Sequence, residues 1–240
     1  MIAQPLEAVP NLSPLRVVDP ISPQAKPIPG RRWVVSDWIP WGYVTALYGD
    51  GGTGKSLLAQ QAMTACAIGK PWVGLNAVHV RAFGVFCEDD EDELHRRQAD
   101  INRSHGIDMG DLEHMRWTSR VGEDNVMMGF GATGEGRLTP FFGQILEEAK
   151  SFGAQFVVID TAADTFGGNE DIRPQGRRYV SRALGYIARE IDGSVLLCAH
   201  PSRSGMQEGD GGSTAWSNTV RSRLFLCRPR ISRRTGLLHR

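Results

Sequence analysis

The octapeptide Gly49-Asp50-Gly51-Gly52-Thr53-Gly54-Lys55-Ser56 constrains this chain more than any other stretch. It satisfies G-x-x-x-x-G-K-[ST], a spelling that follows from wrapping a phosphate chain. Backbone N–H groups must close around the oxygens, so side chains are missing where the loop turns and positive φ must be accessible. A helix starting at the loop aims its unpaired N–H groups and the positive end of its dipole at the anion. Lys55 then reaches the β- and γ-phosphates, and the Ser56 hydroxyl can ligate Mg²⁺. The flanks fit: Val44–Tyr48 is an apolar run suited to a buried strand, and Ser56–Ala67 reads as an apolar helix. The expected phosphate-binding set is therefore Gly49, Asp50, Gly51, Gly52, Thr53, Gly54, Lys55, Ser56 and Leu57. A glycine-rich turn without a ligand is the competing reading, and the strand–loop–helix order weighs against it.

The 240 residues suffice for one good-sized α/β domain. The formal charge is zero, with 27 basic and 27 acidic residues, but Arg228–Arg240 holds five arginines and no acid. That leaves 22 basic against 27 acidic groups elsewhere, a balance that does not advertise nucleic-acid binding. Cys66, Cys87, Cys198 and Cys227 lack metal-ligand or C-x-x-C spacing and read as buried, reduced thiols of a cytoplasmic protein. No apolar run has the length of a membrane span, and no secretory signal opens the chain.

Residues 1–30 hold seven of the 13 prolines and read as an extended arm, with the domain expected over 31–227 and a basic tail over 228–240. Trp33, Trp38 and Trp41 either pack a domain edge, the favoured reading, or stack on a nucleotide base. Apolar strands are expected at Ala82–Cys87, Phe156–Asp160, Val195–Ala199 and Leu224–Cys227. Helices are expected at Glu91–Ser104, Thr139–Phe152 and Gln175–Ile191, and Gly106–Leu138 reads as small strands or loops. Uninterrupted apolar strands alternating with helices imply a parallel sheet covered on both faces, with active groups at the C-terminal strand ends. Glu88, Asp160, His200 and the loop at Gly49 all fall there.

Asp160 closes an apolar strand in the position of a Walker B aspartate, so Ser56 and Asp160 are the expected metal residues. Thr161 follows it where many P-loop ATPases carry a catalytic glutamate, so the base must come from elsewhere. Glu88 is the preferred candidate, with Asp89 and Asp90 as alternatives and an acidic helix start as the plain reading.

The ordered set resembles the RecA-like ATPases, and within them the RepA type of plasmid and phage hexameric replicative helicase. The likeness is carried by Cys87-Glu88-Asp89-Asp90, Val158-Ile159-Asp160-Thr161, Ala199-His200-Pro201-Ser202 and the stretch Gly212-Ser213-Thr214-Ala215-Trp216 through Arg221, across about residues 31–227. The resemblance implies that His200 senses the γ-phosphate. It also implies that Arg221, with Arg223 as fallback, is a finger inserted into a neighbouring subunit's site. The segments Thr161–Pro174 and Pro201–Ser213 resemble the family's DNA-facing loops. In one departure, such relatives continue with further core strands where this sequence turns into Arg228–Arg240, as a truncated or shifted reading frame would.

The resulting expectation is an α/β, RecA-like P-loop fold with a mostly parallel sheet. The expected activity is that of an ATP- and Mg²⁺-dependent motor on single-stranded DNA, a helicase or helicase-like replication protein. Its catalytic residues would be Lys55, Glu88, His200 and Arg221. The resemblance further implies a homo-oligomer, hexameric if family-like, with no membrane partner. A recombinase filament and a nucleotide-gated regulator of a protein partner are the alternatives.

Overall fold

The computed structural model describes residues 17–200 and 219–227. The expectations for the first part of the arm, for Pro201–Ser213, for most of the stretch leading to Arg221 and for Arg228–Arg240 lie outside the described residues. The chain divides into two units, Met1–Gly30 and Arg31–Arg240. In the first, residues 17–30 are exposed throughout and shaped by turns, Ser22 N–H donating to Asp19 O at 3.0 Å and Lys26 N–H to Pro23 O at 2.9 Å.

The second unit opens with a small hairpin, β1 (Trp33–Val35) and β2 (Ile39–Pro40). It continues with β3 (Val44–Gly49), α1 (Lys55–Ile68), β4 (Ala82–Phe86), α2 (Glu91–His105) and β5 (Met115–Ser119). Short strands β6 (Met128–Phe130) and β7 (Gly136–Leu138) precede α3 (Pro140–Phe152) and β8 (Phe156–Asp160). A turn of helix α4 (Ala162–Thr165) leads into β9 (Phe166–Gly167). Then come α5 (Arg173–Arg178), a π-helical stretch (Tyr179–Leu184) and α6 (Gly185–Glu190), and finally β10 (Ser194–Ala199) and β11 (Ser222–Leu226).

Six strands form one parallel sheet in the order β11-β3-β10-β8-β4-β5. Alternation of side chains explains why the central strands are apolar throughout. Val44, Ala46, Val85, Val157, Ile159, Val195 and Leu197 point into the layer of α3 and α6. Leu47, Phe86, Phe156, Val158, Leu196 and Cys198 point into the layer of α1 and α2. The α/β expectation thus holds. Within Gly106–Leu138, however, Met115–Ser119 is a strand of the main sheet; only Met115 is buried in it because it is an edge. Cys66, Cys87 and Cys198 are buried thiols as expected, whereas Cys227 is exposed, since it follows the other edge strand.

A buried polar seam joins α1 to α2. The Gln60 amide donates to Leu94 O and to Gln98 Oε1, both at 2.9 Å. The Gln98 amide donates to Thr64 Oγ1 at 3.0 Å and to Asn102 Oδ1 at 2.8 Å.

The helix from Arg173 to Glu190 has a physical reason to be part π. Its buried residues come in pairs four apart: Gln175 and Gly176, Tyr179 and Val180, Ala183 and Leu184, Ile187 and Ala188. At 3.6 residues per turn, a stripe repeating every four residues drifts by roughly 120° over twelve residues and would leave the sheet. The wider π turns absorb the drift, with Gly185 N–H reaching Val180 O, five residues back. Sequence pattern located this helix but not its pitch.

The tryptophans pack. Trp38 meets Trp72 edge-on at 5.9 Å, and the Trp41 indole N–H donates to Asp192 Oδ1 at 3.1 Å while Arg32 lies 4.0 Å over its ring. Trp41 precedes the N-terminal end of β3, and the phosphate loop follows its C-terminal end about 20 Å away. The base-stacking alternative therefore fails for the chain's own site.

Gly193 marks the tightest approach beside the central strands: a methyl group there would lie 2.1 Å from Gln155 O. Its own carbonyl accepts from Gly42 N–H at 2.9 Å, so the backbone cannot retreat freely. Gly193→Ala is expected to destabilise the fold by about 2–3 kcal/mol. Thermal melts should show a fall in Tm of roughly 5 °C or more.

Candidate active site

Register brings the functional residues to one edge. Asp160 sits level with Phe86 on one side and Cys198 on the other, and Ala199 pairs with Tyr48. The continuing chain therefore places Glu88, Asp160, His200 and the loop after Gly49 together, as the sequence predicted. The loop itself turns at Gly54, whose φ of 93° is forbidding to a side chain. The helix α1 that follows has no side-chain cap at its N-terminus. By contrast, Asp90 caps α2 by accepting from Glu93 N–H at 2.7 Å, and Thr139 caps α3. An uncapped start leaves its donors for an anion.

Lys55 is buried, and its ammonium donates to Gly49 O at 2.8 Å and Asp50 O at 3.1 Å, with His200 Nδ1 3.5 Å away. The geometry distinguishes the three acids after β4. Asp89 is bound by Arg97, whose Nη2 lies 2.9 Å from Oδ1, and Asp90 is occupied as the cap of α2. Glu88 is exposed, makes no hydrogen bond or salt bridge to a described residue, and acts electrostatically on Asp160.

Asp160 is 1% exposed, and its Oδ1 has no hydrogen-bond partner among the described residues. Burial pushes its carboxyl up to about 6, assisted by the charges of Glu88 and Asp89 and opposed by hydrogen bonds from Ser56 and Cys198. Neither the free oxygen nor the Cys198 thiol against it was readable in the sequence, since both depend on which strands are neighbours.

Arg221 does not join this site. Ser222 pairs with Thr45, so Arg221 stands at the N-terminal end of β3, opposite the phosphate loop. Its N–H donates to Val44 O at 2.9 Å, and its guanidinium lies 5.4 Å over Tyr43. Arg223 pairs with Ala46 within the edge strand and is likewise remote. The segment Thr161–Pro174 is more ordered than a loop, because α4 and β9 occupy it and β9 pairs with β6.

Residues 11–206 match the family described as AAA domain, AAA_25. The chain belongs to this family. No curated protein matches the sequence. Membership makes the AAA domain a RecA-like P-loop ATPase that binds and hydrolyses ATP, typically with Mg²⁺. No helix among the described residues is long and apolar enough to cross a membrane.

The residues fit Mg²⁺. Asp160 keeps one buried carboxylate oxygen without a described partner, and the Ser56 hydroxyl at the start of α1 hydrogen-bonds the same carboxyl group. No group of three or more His, Cys, Asp or Glu able to hold a metal occurs among the described residues. Mg²⁺ is commonly held by one or two carboxylates together with substrate phosphates.

The raised Asp160 value sets a pH dependence. An unfolded chain ionises this carboxyl near 3.8, whereas the fold holds its proton to about 6. Between these values the native state binds the extra proton, so stability falls as pH rises through the window. The loss is about 3 kcal/mol once the carboxylate is fully charged. Asp160→Asn should therefore raise Tm above pH 6 in EDTA without nucleotide, and leave it near the parent value at pH 4. Paired melts at both pH values check this.

Proposed function

We propose that this AAA domain is a Mg²⁺-dependent motor on single-stranded DNA, a RepA-type replicative helicase or helicase-like replication protein. The observation that carries the reading is the convergence of Glu88, Asp160, His200 and Lys55 at the ends of β4, β8, β10 and β3. The ordered likeness across these four motifs supports the DNA-acting role.

The residues divide the work. ATP enters at the uncapped start of α1, where Lys55 exchanges the loop carbonyls for phosphate oxygens. Asp160 and Ser56 would hold Mg²⁺, which when bound neutralises charge on the β- and γ-phosphates. Glu88 orients the attacking water or takes its proton. His200, in contact with Lys55, senses the γ-phosphate and begins the segment proposed to meet DNA. Catalysis is positional and electrostatic, with no covalent intermediate.

Arg221 acts in a neighbouring subunit, and its distance from its own loop supports that assignment over a role in cis. Fingers of this kind contribute about 10³–10⁵ in rate. Arg221→Ala and Glu88→Gln should each bind ATP normally and hydrolyse it at least a hundredfold more slowly. Mixed together they should partly recover, because some sites then pair an intact Glu88 with an intact Arg221. Steady-state ATPase rates on mixtures, with mixed oligomers verified by mass, check this.

The function itself is tested by ATPase rates with and without single-stranded DNA beside a strand-displacement assay. Stimulation with unwinding is expected. Stimulation without unwinding would point to a recombinase, and indifference to DNA to a regulator.

A further inference from the structure

The arginines of this protein fall into two populations. Those of α2 are neutralised: Arg96 pairs with Glu93, Arg97 with Asp89, and Arg103 with Asp100. Arg116 and Arg120 at β5 likewise pair with Glu148 and Glu123. On the helix from Arg173 to Glu190, Arg173, Arg177, Arg182 and Arg189 are exposed, and none has a described carboxylate within ion-pair distance. The one acid of that helix, Glu190, is held by Lys150 at 2.8 Å. In a chain of zero formal net charge this is a local run of positive charge with no ion pair among the described residues.

The period of four that forces the π segment also aligns this charge. Positions 173, 177, 181, 185 and 189 lie opposite the buried pairs, and read Arg, Arg, Ser, Gly, Arg. In a regular α-helix Arg182 would stand about 140° round from Arg177. The π turns, closing on residues five apart, bring it back toward that side. Along the middle of the line, Ser181 and Gly185 leave a cavity of about 500 Å³, which Arg189, Arg221, Tyr43 and Trp41 also line. Tyr43 is 50% exposed, with the Arg221 guanidinium over its ring.

We propose that this face is a track for the backbone of a single nucleic-acid strand. Arg173, Arg177, Arg182 and Arg189 meet successive phosphates over about 24 Å, and the half-exposed ring of Tyr43 offers a platform for one base. Unpaired arginines in a row fit a flexible polyanion, which can follow their uneven spacing. Arg173 begins the helix 13 residues after Asp160 in the chain. The inference rests on the proposal that the protein acts on DNA.

The test uses the full chain with a non-hydrolysable ATP analogue, Mg²⁺ and a labelled oligothymidylate, read by anisotropy at several salt concentrations. The variant carries Arg177→Gln, Arg182→Gln and Arg189→Gln together. It should bind at least tenfold more weakly, and its plot of log K against log salt should be shallower by about 2, at roughly 0.7 for each lost phosphate contact. ATP binding should not change, and lysine at the same three positions should restore the slope. If the glutamine variant fails to fold, Arg177→Gln alone should still flatten the slope by about 0.7.

Parent affinity and slope in the glutamine variant would overturn the track while leaving the DNA-acting proposal intact. A change in solution mass with the DNA slope unchanged would overturn it in favour of a contact between copies. Absence of DNA binding by the parent, with ATP hydrolysis retained, would remove the DNA-acting proposal and this inference with it.

Discussion

A carboxylate without a counter-charge at the end of a buried strand is costly to hold, and much of the structure is arranged around that group. Asp160 lies between β10 and β4, so the neighbours it meets are a thiol and a chain segment rather than a cation. Burial alone would favour its protonated form, and the Ser56 and Cys198 hydrogen bonds only partly oppose this. The same position fixes where the phosphate loop must be, because Ser56 opens α1 directly beyond β3. Function and instability are thus concentrated in one side chain, while the surrounding strands remain apolar.

The two ends of the sheet divide the chemistry differently from its two faces. At the C-terminal strand ends lie the groups that handle the triphosphate. At the other end lie the packed tryptophans, Gly193, Tyr43 and Arg221. The helix from Arg173 to Glu190 runs between the two ends, because it connects β9 to β10 across one face. It is the only described element that carries arginines along its whole length without matching acids.

What could be read in advance depended on range. Gly49–Ser56 and the strands at Val44, Ala82, Phe156 and Val195 were legible because their signals are local: glycine spacing in one case, unbroken apolar runs in the others. Met115–Ser119 was not, because an edge strand needs only one buried side chain and so carries no strong pattern. The π stretch escaped because a period of four resembles 3.6 over a short window. The choice among Glu88, Asp89 and Asp90 stayed open in the sequence because it turns on Arg97, a full two turns further along α2. The remoteness of Arg221 from its own loop required knowing that β11 runs parallel to β3.

The seam of Gln60, Thr64, Gln98 and Asn102 has a consequence for how α1 and α2 relate. Apolar helices can slide along one another with little penalty, but buried amides cannot. A slip of one residue would strand several donors and acceptors in a dry interior, at about 1–3 kcal/mol for each. The seam therefore acts as an index pin between the two helices. Since α1 begins at the phosphate loop and α2 begins just past Glu88, the pin makes the lysine and the acid parts of one rigid gauge, set by a joint that touches neither.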